Sequence, residues 1–534
     1  MKQIEQKKIS SLIWPWILVG FLLCLGVFFR FYNLDKKVYW IDEVYTSLWI
    51  SGYTWNEALK TIANRVVDIN DLHKFQFPSD EKGIFSIIQV KSVSNPEHPP
   101  LYYLLLKLWL EFFGDSIWVT RSLAVFASLL IFPCIYWLCR ELFEPRRVAL
   151  MAVVLVSVSP FHVLYSQEAR QYSLWTVIIL LSSGMLLRAL SSRTKFLWIL
   201  YAVTVALGLY IHSLFALVIT AHGVYVIGIH LNEVSMKPFH LPRQLISYII
   251  ATLAGIMTFV PWLYLIFSNL SSVGRNLLSF NGAENILYLM AMWGFNFSSV
   301  FMDAGYSFRY VENFDLGVLI SYTIQVLILI LAAYSIYFLY STTIQRIWLF
   351  IFSLIVIPFL CLAIPDLLLG ETKSGIGSRY LAASYLGIQL AVAYLLATKM
   401  GSGFYKQRIF WKVVSSLVIL WGVVSCVIIS RADTWWTKIG DYYTPRVVRY
   451  INNANSPTLI IGNSSQLFTL SYLVNPYVRF LLIDDPDKIQ IPHGYKSLFI
   501  YRASSLLNEH RLLKDFTLET LDTKGELWRL RESP

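Results

Sequence analysis

The sequence predicts a polytopic α-helical membrane protein with about 11 transmembrane helices, interfacial helices on the outer membrane face and a small C-terminal extracytoplasmic α/β domain. Three observations predict this class. Of the 534 residues, 56% are hydrophobic and only 14% charged, whereas a soluble domain is about 25% charged. The apolar residues gather into runs of about 20, the length of a bilayer span. From residue 431 onward the pattern changes to short apolar runs separated by turn residues, as strands and small helices require.

The predicted spans are 11–31, 117–138, 148–165, 172–190, 196–211, 213–230, 245–267, 316–340, 346–365, 380–398 and 410–430. The first follows a basic start and has no small-residue cleavage site after it, so it reads as a retained span and not a removed leader. Orientation follows from the excess of Lys and Arg in cytoplasmic loops. Lys2, Lys7 and Lys8 precede the first span, and alternate short loops carry Arg140, Arg146 and Arg147; Arg188, Arg193 and Lys195; Lys237 and Arg243; Arg346; and Lys399, Lys406, Arg408 and Lys412. All fall on one side, which is then cytoplasmic. Much of the basic excess behind the net charge of +11 and pI near 9.2 is thereby explained by topology, and no nucleic-acid footprint is needed. Leu101–Phe113 (LYYLLLKLWLEFF) is apolar but short, with Lys107 and Glu111 inside it. As a span it would invert every later loop, so it is read as a helix lying on the outer leaflet.

The expected organisation is a transmembrane domain over 1–430, with a first outer loop at 32–116, and an extracytoplasmic domain over 431–534. Further outer loops fall at about 166–171 and 268–315. In the C-terminal domain Thr444–Asn453 reads as a helix and Thr458–Ile461, Tyr477–Ile483, Ser497–Tyr501 and Leu527–Leu530 as strands. Cys24, Cys134, Cys139, Cys361 and Cys426 lie in or beside apolar runs without CxxC spacing, and read as buried small hydrophobes. The cytoplasmic loops are too short to fold a nucleotide-binding domain and carry no Gly-rich phosphate motif. Chemistry, if present, belongs on the outer face and needs a donor delivered within the membrane.

Five places can carry it. Tyr39-Trp40-Ile41-Asp42-Glu43-Val44-Tyr45 opens the first loop. Asp42 there is either a helix cap beside a solvated Glu43 or a general base that takes the proton of a hydroxyl nucleophile. Asn95-Pro96-Glu97-His98-Pro99-Pro100 is either a plain helix entry or a place where Glu97 and His98 meet a phosphate, or a divalent ion that binds one. Glu168 and Arg170 are squeezed into a very short turn, Tyr165-Ser166-Gln167-Glu168-Ala169-Arg170-Gln171-Tyr172, between two spans. They form a mutual ion pair, or Arg170 grips a phosphate bidentately while Glu168 orients a sugar hydroxyl or a basic partner. His212, at the break between the fifth and sixth spans, is a turn residue or a ligand-facing one. Arg379-Tyr380 opens the tenth span after the Gly-rich stretch Gly370–Gly377, where an Arg can snorkel to headgroups or meet a lipid phosphate.

The acidic pair after the first span, the Glu97-His98-Pro99-Pro100 entry to an outer interfacial helix, and the charged turn before the fourth span resemble the GT-C superfamily of membrane glycosyltransferases. More narrowly the chain looks like the bacterial family-39-type group, related to protein O-mannosyltransferases, lipid A aminoarabinose transferases and rhizobial galacturonosyltransferases. The resemblance covers about residues 10–400; the C-terminal domain matches only in placement. It implies inverting transfer from a polyprenyl-phosphate sugar to a glycan, lipid or protein acceptor at the outer face of the plasma membrane. On it, Asp42 matches the first-loop catalytic aspartate, and Glu97 and His98 an acid-plus-basic pair near the donor phosphate. Glu168 stands where relatives often carry Asp, as the second carboxylate. Glu43, Arg170, Tyr172, His212, Arg379 and Tyr380 carry over as lining for substrate. The reading expects these residues to converge in one chamber open to lipid, with a divalent cation at the donor phosphate left open. The rivals are a transporter or flippase for lipid-linked substrates, a non-catalytic scaffold, and a transferase using a diphosphate-linked donor. The first is disfavoured because the spans are poor in charge, the candidates gather at one face, and no symmetric halves are evident.

Overall fold

The computed structural model describes the backbone of residues 2–78, 82–192, 194–236, 242–269, 286–369, 377–484, 491–502 and 516–532, and side chains over the same ranges except 2–15, 232–236, 369 and 532. The side chains of Lys2, Lys7 and Lys8, residues Arg193 and Lys237, the stretch 370–376 and positions 270–285 of the third outer loop lie outside the described residues. The chain forms two compact units: residues 1–34, 95–102 and 121–431 make the first, and 35–94, 103–120 and 432–534 the second.

The first unit is helical. Seven helices among the described residues are long and apolar enough to cross a bilayer: Ile117–Leu142, Tyr172–Ser191, Arg243–Ser268, Leu316–Thr342, Gln345–Leu368, Ser378–Gly401 and Tyr405–Arg431. A bent pair, Arg146–Ser157 and Pro160–Ser166, makes an eighth if it is one broken span. Shorter apolar helices Trp16–Phe31, Lys195–Ile211 and Phe215–Leu231 stand where the first, fifth and sixth spans are expected. The chain is a multi-pass membrane protein. Of the cysteines, Cys139 and Cys426 are buried as expected, but Cys24 and Cys361 are exposed on their helices. In an apolar helix that position faces lipid as readily as a leucine does.

The break in the bent pair has a visible cause and a visible repair. Pro160 has no N–H to continue the ladder, and the axis turns by 55°. That frees carbonyls at the end of the first half, which lipid cannot satisfy. Arg30, fully buried, reaches them: its guanidinium donates to the Ser157 carbonyl at 2.8 Å and the Val156 carbonyl at 3.2 Å. It is steadied by Ser128 Oγ at 2.9 Å and the Gly26 carbonyl at 2.8 Å. A cation at a helix C-terminus also meets the negative end of the helix dipole. The two elements approach so closely that a Cβ on Gly26 would lie 2.5 Å from the Ser157 oxygen. This clamp sets the direction of Pro160–Ser166, and with it the turn that carries Glu168 and Arg170.

The second unit is a six-stranded sheet in the order β1-β3-β2-β4-β6-β5, with helices from both ends of the sequence on it. The strands are β1 (Val66–Val67), β2 (Thr458–Gly462), β3 (Arg479–Leu482), β4 (Ser497–Tyr501), β5 (Phe516–Asp522) and β6 (Leu527–Glu532). β2 runs parallel to β3 and β4, whereas β6 pairs antiparallel with β4 and β5 with β6. Every residue of β2 and β4 is buried, as a central parallel strand covered on both faces requires. One face packs Ile460, Phe480 and Phe499 against Val447 and Ile451 of the helix Thr444–Asn452 and against Val44, Leu48, Ala58 and Ile62 of the first loop. The C-terminal segment therefore shares its core with the first loop.

β1 was not expected from the sequence, and it carries topological information. Val66 pairs with Leu481 and Val67 with Phe480, so the two segments lie on one side of the membrane. An even number of crossings must separate them. The ten apolar segments expected between residues 117 and 430 satisfy that parity.

Candidate functional site

In the first unit, Pro99 and Pro100 lack N–H groups, which suits a helix start, and a helix begins at Leu101. The residues before it are pinned from several directions. Trp262 Nε1–H donates to the Pro96 carbonyl at 2.8 Å, Ser213 Oγ to the Glu97 carbonyl at 2.8 Å, and Asn95 Nδ2 to Glu97 Oε1 at 3.1 Å. His98 Nδ1 accepts from Gln171 Nε2 at 3.2 Å. An imidazole that accepts at Nδ1 carries its proton at Nε2.

The short turn is anchored just as firmly. Gln167 Nε2 donates to the Phe29 carbonyl at 2.8 Å and the Tyr32 carbonyl at 3.0 Å. The Tyr165 and Ser378 hydroxyls share a bond of 2.8 Å. Glu168, Arg170, Gln171 and Tyr172 are all buried, which for charged groups demands partners or a ligand. The Arg170 guanidinium lies 5.8 Å from the Tyr172 ring, and that of Arg379 lies 5.7 Å from the same ring and 5.1 Å from Tyr380. Two cations thus flank one phenol.

His212 completes the group. It lies between the helices Lys195–Ile211 and Phe215–Met236 and stacks on Trp175, with ring centroids 4.4 Å apart. It sits 6.1 Å from His98 and 6.2 Å from both Tyr172 and Tyr380. Its Nδ1 accepts the Leu214 N–H at 3.2 Å, so the proton is at Nε2. Burial first, then the charges of Arg170 and Arg379, push its pKa down to about 3. It is a neutral donor, not a cation. Glu97, His98, Glu168, Arg170, Tyr172, His212, Arg379 and Tyr380 therefore gather in the first unit. Two guanidiniums and two Nε2–H imidazoles at the end of an apolar bundle make a set suited to a phosphate anion.

Asp42 and Glu43 belong to the second unit. They open the helix Ile41–Ile50, whose N-cap is Trp40. The reading of Asp42 as that cap is corrected: the Ile41 N–H goes to Asp441 Oδ2, at 2.8 Å. The alternative of a solvated Glu43 is corrected as well. Its side chain is fully inside, 3.9 Å from the equally buried Lys438 ammonium. Asp42 itself is half-buried.

Asp441 has a measurable signature. Burial raises its pKa from 3.8 to about 6, against the pull of the Ile41 N–H, Arg502, Thr444 and Lys438. A carboxyl whose folded pKa is raised stabilises the fold most below its unfolded pKa, and that contribution is lost as pH rises through the folded value. Between about pH 4 and pH 7 the wild type should lose on the order of 3 kcal/mol from this group alone. Asp441→Asn, which never ionises, should show that much less decline when unfolding is followed by tryptophan fluorescence. Parallel pH slopes in the two proteins would refute the assignment.

Residues 97–265 match the family model described as Dolichyl-phosphate-mannose-protein mannosyltransferase. Among solved structures the chain is similar to ArnT from Cupriavidus metallidurans. It aligns with the apo form at 12% identity and a TM-score of 0.52, covering 97% of each chain. It aligns with the form bound to undecaprenyl phosphate at 11% identity and a TM-score of 0.50, covering 97% of this chain and 98% of that one. No curated protein sequence matches. The fold is the GT-C glycosyltransferase fold. The family-model match falls inside the part of the chain that carries this fold.

The matched stretch contains Glu97, His98, Glu168, Arg170, Tyr172 and His212, but not Asp42, Arg379 or Tyr380. Sequence reasoning passed over Gln171, which orients His98, and Arg30, which mends the broken helix. Gln171 stood beside the charged turn. Arg30 was a charge at the end of an apolar run, where a headgroup contact is the ordinary reading. Lys438 and Asp441 carried no local signal, because their partners lie about 400 residues away.

Proposed function

We propose that this protein is a GT-C glycosyltransferase that moves a sugar from a polyprenyl-phosphate donor to a glycan, lipid or protein acceptor at the outer face of the cytoplasmic membrane, inverting the anomeric carbon. The observation that supports it most is the buried gathering of Arg170, Arg379, His98 and His212 around Tyr172. The ArnT structure with undecaprenyl phosphate shows that a chain of this fold binds such a carrier.

Asp42 takes the acceptor hydroxyl proton while the hydroxyl oxygen attacks the anomeric carbon. The bond from that carbon to the phosphate oxygen breaks, and its electron pair leaves with the phosphate, which gains one negative charge. Arg170 and Arg379 meet the growing charge, and the Nε2–H groups of His98 and His212 donate to the same oxygens. Glu168 orients a sugar hydroxyl, and Glu43, paired with Lys438, acts through the helix it shares with Asp42. A divalent cation bound here would draw on Glu97 and lend charge to the donor phosphate, whereas His98, with Nδ1 accepting from Gln171 and a proton on Nε2, has no lone pair left for it. Among the described residues no group of three His, Cys, Asp or Glu side chains suited to a metal is found, so its remaining ligands would be phosphate oxygens and water. The basic residues of the short loops support a cytoplasmic N-terminus. On that orientation the first loop and the segment from 431 onward lie on the outer side.

The test is transfer in proteoliposomes loaded with undecaprenyl-phosphate-linked sugars, with diphosphate-linked donors in parallel. With an envelope extract of the native cells as acceptor, acceptor-dependent release of undecaprenyl phosphate is expected from the monophosphate donor only. Movement of intact donor across the bilayer without release would overturn the proposal in favour of a flippase.

A further inference from the structure

The helix that carries Asp42 does not cap itself. The Trp40 side chain makes no cap hydrogen bond, and a helix start leaves its first N–H groups without intrahelical partners. The Ile41 N–H ends on Asp441 Oδ2, 400 residues away in sequence. Asp441 is itself built in. Thr444 Oγ1 donates to its Oδ1 at 3.2 Å, and its own N–H donates to the Lys438 carbonyl at 3.0 Å. From the same turn Lys438 pairs with Glu43 at 3.9 Å and lies 5.2 Å from the Trp40 ring. Residues 40, 41 and 43, on both sides of Asp42, are thus each held by the turn 438–441.

A Ser, Thr or Asp at position 40 would have capped this helix locally. A fully buried carboxylate is a costlier device, and the rise of its pKa to about 6 by burial reflects that. The distant cap achieves something a local one does not: it ties the first helical turn to the C-terminal segment. We propose that Asp441 is a positioning residue, which by accepting the Ile41 N–H fixes the direction in which the Asp42 carboxylate meets the acceptor hydroxyl. The proposal rests on Asp42 being the general base.

The test uses full-length protein in nanodiscs, undecaprenyl-phosphate-linked sugars extracted from membranes of its native cells, and an envelope extract of the same cells as acceptor. Asp441→Leu cannot accept the N–H. Asp441→Asn keeps an oxygen for Ile41 and turns its amide to Thr444, whose hydroxyl can reorient to the Tyr501 hydroxyl 3.4 Å away. Asp441→Glu keeps charge and acceptor but displaces them by one methylene. Small displacements cost large factors in rate. Leucine should therefore lower kcat about 10- to 100-fold and glutamate about 10-fold, with KM for the donor unchanged, while asparagine stays within about threefold of wild type. In an Asp42→Asn background the leucine substitution should cause no further loss, since no base remains to be placed. A folded leucine or glutamate variant with wild-type kcat, or losses that multiply with Asp42→Asn, would overturn the positioning role and leave the base assignment standing. If leucine prevents folding, the glutamate variant decides alone. Wild-type turnover by Asp42→Asn itself would instead remove the base assignment.

Discussion

Asp42→Asn is expected to lower kcat by about 10²- to 10⁴-fold, the usual contribution of a positioned general base, with the melting midpoint and the affinity for undecaprenyl phosphate unchanged. The substitution is nearly isosteric. The bonds that hold its helix in place use other atoms: the Ile41 N–H on Asp441 and the Asp42 backbone carbonyl under Thr46 Oγ1 at 3.0 Å. What asparagine lacks is the capacity to take up a proton. A hydroxyl is a poor nucleophile until it gives its proton up, so the loss should fall on kcat and appear with every acceptor. Turnover within threefold of wild type would remove Asp42 from the reaction and force the search for another base.

Arg170→Lys is expected to weaken binding of undecaprenyl phosphate by about 10- to 100-fold, the loss of a hydrogen bond to a charged group, and to lower kcat further. Lysine keeps the charge, so a simple ion pair with Glu168 would tolerate it. It does not keep the planar fork that grips a phosphate bidentately. Arg170 is also fully enclosed with Arg379 beside the same phenol, so the shorter donor set of lysine cannot be made up by solvent. Equilibrium binding of undecaprenyl phosphate to detergent-solubilised protein, followed by tryptophan fluorescence, reads the effect. Equal affinity in Arg170→Lys and wild type would make Arg170 a structural residue of its turn.

Much of the helical unit was legible because its physics is local. Each long apolar helix reports itself through some 20 consecutive residues, and charges in a very short turn between spans, as at Glu168 and Arg170, stand out against that background. The gathering of His98, His212 and Arg379 with them was also anticipated, though only through a resemblance. The strand β4 and the helix at Thr444–Asn452 were legible, one as a short apolar run and the other from its helical periodicity. β1 was not: two valines carry no period, and they become a strand only because Phe480 and Leu481 present an open edge. Arg30 and Asp441 share that character. A side chain whose purpose is to satisfy the carbonyl or N–H group of a distant segment leaves no mark on its own neighbours in sequence, so one-dimensional reading finds the element and misses what fastens it.

The bond between Ile41 and Asp441 has a consequence during synthesis. At about 5–20 residues per second, the ribosome needs roughly 20–80 s to cover the 400 residues that separate them. Throughout that interval the nascent first loop has none of its sheet to rest on, and the apolar side of Val44, Leu48, Ala58 and Ile62 stands open to chaperones and proteases. Chains that terminate early, before residue 432, would never leave that state and should be degraded rather than accumulate.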